Sequence, residues 1–390
     1  MIRHALVLLV LLWSTTAVLV LPPARAVESP QAFSTAPHSK PDGQRWRLGY
    51  VESGLFSEYP LTLRATVNGL EQLGWLSLDT PMPQDTEAEA LWQWLGEHAH
   101  SDYLEFVADA TWRPGNFDSD KRAPMRDSIQ TRVAEQNDLD LLIAMGTWAG
   151  QDMRALGPPL PVIVASVSDA VSAGIIDSLE DSGHDNLHAR VEPERYARQV
   201  KLFHDIVPFD TLGIVYEDSE TGRTYAAVDA IESVSQQLDF GVVHCHAVAS
   251  DISAEQAVEN AIDCYQKLAD QQVDAVYVTF HRGITRTSVA AVADILRQAD
   301  IPSFSMAGAQ EVEQGLLLSL ATANVSYVGL FHAEAIARVL NGALPRELDQ
   351  VWVDPAKIAL NLGTARLIGF DPPIDILLAA DEVYESPLEE

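Results

Sequence analysis

Across residues 139–179 short apolar runs alternate with polar turns. Leu141, Leu142, Ile143, Ala144 and Met145 form an unbroken apolar run, with charge before it and Gly146-Thr147 after it. Such a run predicts a strand buried on both faces. Gly146 permits a tight turn, and Thr147 suits the N-cap of a helix reaching Arg154. Pro158, Pro159 and Pro161 then end any helix. A second buried strand, 162–165, runs into the polar Ser166-Val167-Ser168-Asp169, and a further helix is expected over 170–179. Strand, small polar turn and helix, twice over, predict a parallel α/β sheet. Ligands of such sheets bind outside the carboxyl ends of the strands. Thr147, Ser166 and Asp169 are therefore candidate ligand contacts.

The same alternation covers most of the chain. Strand 45–51 ends at the turn Glu52-Ser53-Gly54, and helices are expected over 60–74, 85–100 and 124–137. Residues 101–128 show no clear period, although 103–107 could be a strand. A turn-rich break at 181–186 marks the expected first passage between lobes. Beyond it come helix 193–207, strand 211–216 with the polar end 217–223, helix 224–238 and strand 241–248. Ser253-Ala254-Glu255-Gln256 has the spacing of a capping box. Strand 275–279 ends in Phe280-His281-Arg282-Gly283, followed by helix 286–298, strand 301–306, an extended stretch at 316–321 and helix 326–340. The fold class expected is α/β, with two similar parallel-sheet lobes joined by a hinge. The N-terminal lobe is assigned 45–185 plus 318–345, and the C-terminal lobe 186–317 plus 346–385.

A cleft between such lobes is lined by strand-end loops, which nominates Ser53, Thr147, Ser166, Asp169, Glu217, Thr221, Arg223, Thr279 and His281. Helix N-termini at these turns offer N–H donors to a carboxylate or phosphate. Arg223 could clamp the same anion in bidentate fashion, or sit on the surface of an acidic protein. Asp169 could take a ligand ammonium, or simply cap a helix. Tyr50, Phe56, Trp148 and Tyr225 could stack on an aromatic ligand, with core packing the alternative for each.

The run apolar strand–Gly146-Thr147–helix, then strand–Ser166-Val167-Ser168-Asp169 and Ala173-Gly174-Ile175-Ile176, resembles substrate-binding proteins of one ABC transporter family. Further pieces in the same order are 212–216 with Ser219-Glu220, 273–276, 301–304, 327–329, Asn341-Gly342 and 361–365. The resemblance implies a type I periplasmic-binding-protein-like fold with three chain crossings that closes on its ligand. It also implies a small anionic or zwitterionic metabolite, with aromatic amino acids among the ligands of relatives, and delivery to an ABC permease in the inner membrane. Departures fall at ligand positions: Gly222 and Arg223 stand where the family usually has Asn-Ser, and Phe280-His281 where it often has Asp-Asn. Residues 101–125 have no clear family counterpart.

The N-terminus adds a compartment. Arg3 and His4, an apolar run to Leu21, Pro22-Pro23 and Ala24-Arg25-Ala26 read as a secretory signal cleaved after Ala26, without the cysteine of a lipoprotein. A periplasmic, monomeric protein is expected, with a flexible leader over 27–44. The 390 residues carry 56 Asp and Glu against 25 Lys and Arg, a formal charge of −31, which argues against nucleic acid as a partner. Cys245 and Cys264, the two cysteines, permit one disulfide in an oxidising compartment or serve as small buried hydrophobes. His244 and His246 share a strand face, but no obvious third metal ligand lies nearby. The motifs of serine hydrolases, zinc peptidases and P-loop enzymes are absent. No catalytic residue, metal or cofactor is therefore assigned. The alternatives kept are a ligand-sensing partner of a membrane receptor and, less favoured, an exported α/β hydrolase.

Overall fold

A computed structural model describes residues 33–322, 325–353 and 356–385. The expected signal segment lies outside the described residues. The described residues build two large sheets and a small two-strand pair, and the order of the large sheets explains where the cleft lies.

The first sheet contains β1 (Trp46–Glu52), β4 (Leu104–Trp112), β5 (Leu141–Met145), β6 (Val162–Ala165) and β7 (Leu187–Ala189), ordered β4-β1-β5-β6-β7 and parallel throughout. Every residue of β5 and β6 is buried, as their unbroken apolar runs require. Helices α1 (Glu58–Gln72), α2 (Ala88–His98), α3 (Arg122–Glu135) and α4 (Thr147–Leu156) cover its faces, and a two-strand pair, β2 (Ser77–Leu78) and β3 (Ala99–His100), closes one end.

The second sheet contains β8 (Thr211–Tyr216), β9 (Gly241–His246), β10 (Ala275–Val278), β11 (Ser303–Ser305), β12 (Leu318–Thr322), β13 (Ala356–Asn361) and β14 (Ala380–Tyr384). Its order is β14-β13-β12-β11-β10-β8-β9, parallel except where β13 runs against β12. Around it lie α5 (Arg195–Ile206), α6 (Glu220–Tyr225), α7 (Val228–Leu238), α8 (Ala254–Asp270), α9 (Val289–Gln298) and the shorter α10 (Ala309–Glu313). Helix α11 (Val325–Leu340) leaves this sheet and packs on α1 of the other lobe. The two helices touch so closely at Gly329 that a Cβ there would run into the backbone of Ala65. Helices α12 (Leu362–Leu367) and α13 (Ile374–Ala379) lead into β14.

Several expectations are corrected. β7 adds to the first sheet, so the passage between lobes follows Ala189 rather than lying at 181–186. β12 belongs to the second sheet, so the stretch from 318 starts in the second lobe, and α11 with the segment after it returns to the first, where Arg346 pairs with Asp181 and Gln350 donates to Ser178 O and Leu179 O. Residues 170–179 are turns, not a helix: Asp169 caps a single turn through the N–H groups of Val171 and Ser172, and Gly174, at φ +64°, ends it. Gly146, at φ +93°, rather than Thr147 takes the N-cap of α4; a Cβ there would collide with Tyr59 and Ser53. The helix expected over 224–238 breaks at Ala227, which sits at φ +51° between α6 and α7. The described part of the leader is irregular but held down: Trp75 Nε1 donates to Thr35 O (2.8 Å), Trp46 Nε1 donates to His38 O (3.0 Å), and Lys40 pairs with Asp140.

Cys245 and Cys264 form a disulfide between β9 and α8. Closing a loop of this size restricts the unfolded chain by about 3 kcal/mol.

Candidate ligand cleft

The carboxyl ends of both sheets face a partly enclosed cavity of about 130 Å³. Six aromatic side chains line it: Phe56, Tyr59 and Phe117 come from the first lobe, and Tyr196, Tyr225 and Phe280 from the crossing segment and the second. Phe56 meets Tyr59 at 5.3 Å and Phe280 across the cleft at 6.0 Å, both edge to face.

The polar wall has three cations. Arg190 and Arg195 stand on the segment that crosses between lobes, where they converge with Arg198 on Glu192 at 3.5, 3.9 and 2.7 Å. Arg282 enters from the loop after β10 and donates through one guanidinium nitrogen to Ala249 O and Ile252 O at 2.6 and 2.9 Å. Two acids face the cations. Glu217 accepts from Ala249 N, Ser250 N and Ser250 Oγ, so its oxygens are already engaged. Burial pushes the Glu58 carboxyl up from its usual range, and Arg195 opposes that shift. Thr147 Oγ1 and Tyr225 OH are buried in the wall, where they interact with each other but make no well-aligned hydrogen bond among the described residues. A buried hydroxyl left unmatched is costly, and a ligand that satisfies it recovers that cost. Ser166, also on the wall, is held at φ +54°, a backbone state rare outside glycine.

Four of the nine residues nominated by the strand-end rule line the cavity: Thr147, Ser166, Glu217 and His281. His281 is fixed by Ala247 O (3.0 Å) and by the N–H of Gly283 (2.9 Å), and burial holds its ring pKa down. The other five are not lining residues. Ser53 Oγ bridges Met145 O and the N–H of Ala149 inside the first lobe. Asp169 is consumed by its own turn. Thr279 donates to Val215 O within the second sheet. Thr221 sits on α6, and Arg223, two residues along it, pairs with Asp229 (3.0 Å) and Glu232 (3.2 Å) instead of the cleft. Of the four aromatic candidates, Phe56 and Tyr225 line the cavity. Trp148 backs Phe117 at 5.7 Å, and Tyr50 stacks on Trp92 in the core.

Sequence reasoning missed Arg190, Arg195, Arg282, Glu58 and Phe117. Arg282 is next to the nominated His281, and extending that loop by one residue would have found it. Arg190 and Phe117 lie in segments with no hydrophobic period, and Arg195 opens α5 with no expected strand leading into it, so a strand-end rule cannot reach them.

Comparison with known proteins fits this architecture. The profile of a family described as ABC transporter substrate binding protein matches residues 123–384. A curated tyrosine-binding protein of Clostridioides difficile (strain R20291) is 22% identical over 250 residues, 63% of this chain and 67% of that protein. The fold is similar to that of an ABC domain from Streptococcus pneumoniae solved in complex with L-Trp, with 20% identity, a TM-score of 0.66, and 87% of this chain and 100% of that one covered. It is also shared with a LacI family transcriptional regulator from Bifidobacterium animalis, at 12% identity and a TM-score of 0.50, over 87% of this chain and 98% of that one. The two sheets thus have the type I periplasmic-binding arrangement. With well over half of its length matched, this chain belongs to the ABC transporter substrate-binding protein family.

Proposed function

We propose that this protein captures an aromatic amino acid between its lobes and delivers it to the permease of an ABC importer. The observation that carries the reading is a partly enclosed cavity lined by six aromatic rings and three arginines. The rings suit an aromatic side chain, and Arg190 and Arg195 suit its carboxylate. Because Glu217 already accepts three hydrogen bonds, Glu58 is the carboxylate placed for the ligand's ammonium. Pairing with that cation would offset the burial that raises the Glu58 pKa. The relatives named for tyrosine and L-Trp support the same ligand class.

Thermal melting against the twenty amino acids, small organic acids and phosphorylated metabolites tests this. A ligand at about 1,000 times its dissociation constant adds about 4 kcal/mol to stability. Shifts confined to L-tryptophan, L-tyrosine or L-phenylalanine are expected. A shift from phosphorylated compounds, with none from aromatic amino acids, would reject the reading.

A further inference from the structure

Residues 113–119 run from the end of β4 to a short 3-10 turn (Ser119–Lys121), ahead of the segment matched by the family profile, which starts at 123. We propose that they form a strap that bolts the two lobes together over the bound ligand. In this proposal Phe117 sets the size of ligand accepted, and Asp251 of the opposite lobe positions it. The inference rests on the reading that the cleft closes around an aromatic amino acid.

The strap is anchored in the first lobe at several points. Arg113 pairs with the buried Glu52 (3.2 Å) and with Glu89 (3.1 Å). Asn116 Oδ1 accepts from the N–H of Leu55 at 2.9 Å. The Phe117 ring lies directly on Gly54, where a Cβ would collide with it, and against Trp148. Phe117 is held at φ +57°, which a bulky residue adopts only when its surroundings impose it.

The far end is fixed by the second lobe. The N–H of Asp251 donates to Phe117 O at 3.1 Å. Ser119 returns two bonds to the Asp251 carboxylate, from its N–H at 2.7 Å and from Oγ at 2.9 Å. The Arg282 guanidinium lies 5.7 Å over the Phe117 ring from the same side. Hydrogen bonds to a carboxylate are among the stronger ones available. The loop that carries Asp251 is itself held by Glu217 and Arg282, and both line the cavity. A ligand that engages Arg282 therefore steadies the loop, the loop fixes the strap, and the strap places Phe117 on the ligand.

The test uses Asp251→Gly, Asp251→Asn and Phe117→Ala. Asp251 sits at φ +58°, so glycine removes the carboxylate without backbone strain, and asparagine keeps an acceptor for the Ser119 N–H. Stopped-flow release of L-tryptophan, L-tyrosine and L-phenylalanine should be roughly tenfold faster in Asp251→Gly and return to within about threefold of the parent in Asp251→Asn. Phe117→Ala should change the ratio of affinities for L-tryptophan and L-phenylalanine by about tenfold. Parent-like release from Asp251→Gly, or an unchanged ratio in Phe117→Ala, overturns the proposal. Should the parent bind none of the three, the ligand reading falls and the strap is judged by X-ray scattering of the ligand-free protein. Expansion in Asp251→Gly then supports it, and an unchanged profile overturns it.

Discussion

Two places in the molecule bring a pair of histidines and an arginine together, and they do different work. On the flank of the second sheet, the Tyr216 hydroxyl sits 3.1 Å from both His244 Nδ1 and His246 Nε2. Arg223 beside them is paired with Asp229 and Glu232, and Asp218 lies 3.6 Å from His246. At the crossing between lobes, His188 and His332 are 0% and 1% exposed, next to Arg190. His188 Nε2 meets the Asp349 carbonyl at 3.1 Å. His188 Nδ1 and both nitrogens of His332 have no hydrogen-bond partner among the described residues. The same residue types make a solvated charge network in one place and a sealed neutral pair under a cavity-lining arginine in the other. Burial and proximity to the cleft decide the role, not residue type.

The largest effect expected from this contrast is acid sensitivity. Burial lowers the pKa to about 4 for His188, with Asp349 opposing and Arg338 adding. It lowers His332 to about 3, with Arg190 and His188 adding. Both folded values lie below the unfolded value of about 6.5, so the unfolded chain takes up protons first as pH falls. This contribution to stability is complete above pH of about 6.5 and is lost towards the folded values. Each histidine should contribute a loss of about 2.5 kcal/mol between pH 7 and pH 4.5. Chemical denaturation reads it as the difference between the parent and His332→Met, because the raised carboxyls of Glu52 and Glu311, both at about 7, act in the opposite direction in both proteins. An equal loss in His332→Met would show that the crossing pair is not its source.

The two arginine environments give the next contrast. Arg195→Ala should weaken L-tryptophan binding roughly 100-fold by calorimetry, the cost of removing a cation from a buried ionic contact. Arg223→Ala, on the flank, should leave affinity within about twofold, as exposed pairs contribute little. A reversal of these two outcomes would return the anion site to the turn after β8. Between them in size comes Thr147→Val. It deletes an unmatched buried hydroxyl, so ligand-free stability should hold or rise slightly while affinity falls about tenfold. Equal losses of stability and affinity would assign that hydroxyl to the fold alone.

The fold was largely legible because a strand buried on both faces leaves an unbroken apolar run and its turn leaves small polar residues. Leu141–Met145 with Gly146-Thr147 is the clearest case. The errors fell where that signal is weak. β7 has three residues and includes His188, so no apolar run announced it, and the lobe boundary was placed too early. The site was half legible for a related reason. The strand-end rule finds Thr147, Ser166, Glu217 and His281, whose backbone places them at the cleft. It also nominates Asp169 and Thr279, whose side chains turn back into their own lobes, and Arg223, which the acids of α7 draw to the surface. Contacts made across the cleft, such as Phe117 with Asp251, join residues 134 positions apart in sequence and have no local pattern to read.

The proposed occupant of the cavity between the lobes is an aromatic amino acid held by its ring and its carboxylate. Titration of the purified protein with L-tryptophan, L-tyrosine and L-phenylalanine, beside the matching amines that lack the carboxylate, tests it most directly. Saturable one-to-one heat is expected with at least one amino acid and none with its amine. Binding of the amine as tightly as the amino acid, or no binding of any of the three amino acids, would contradict it.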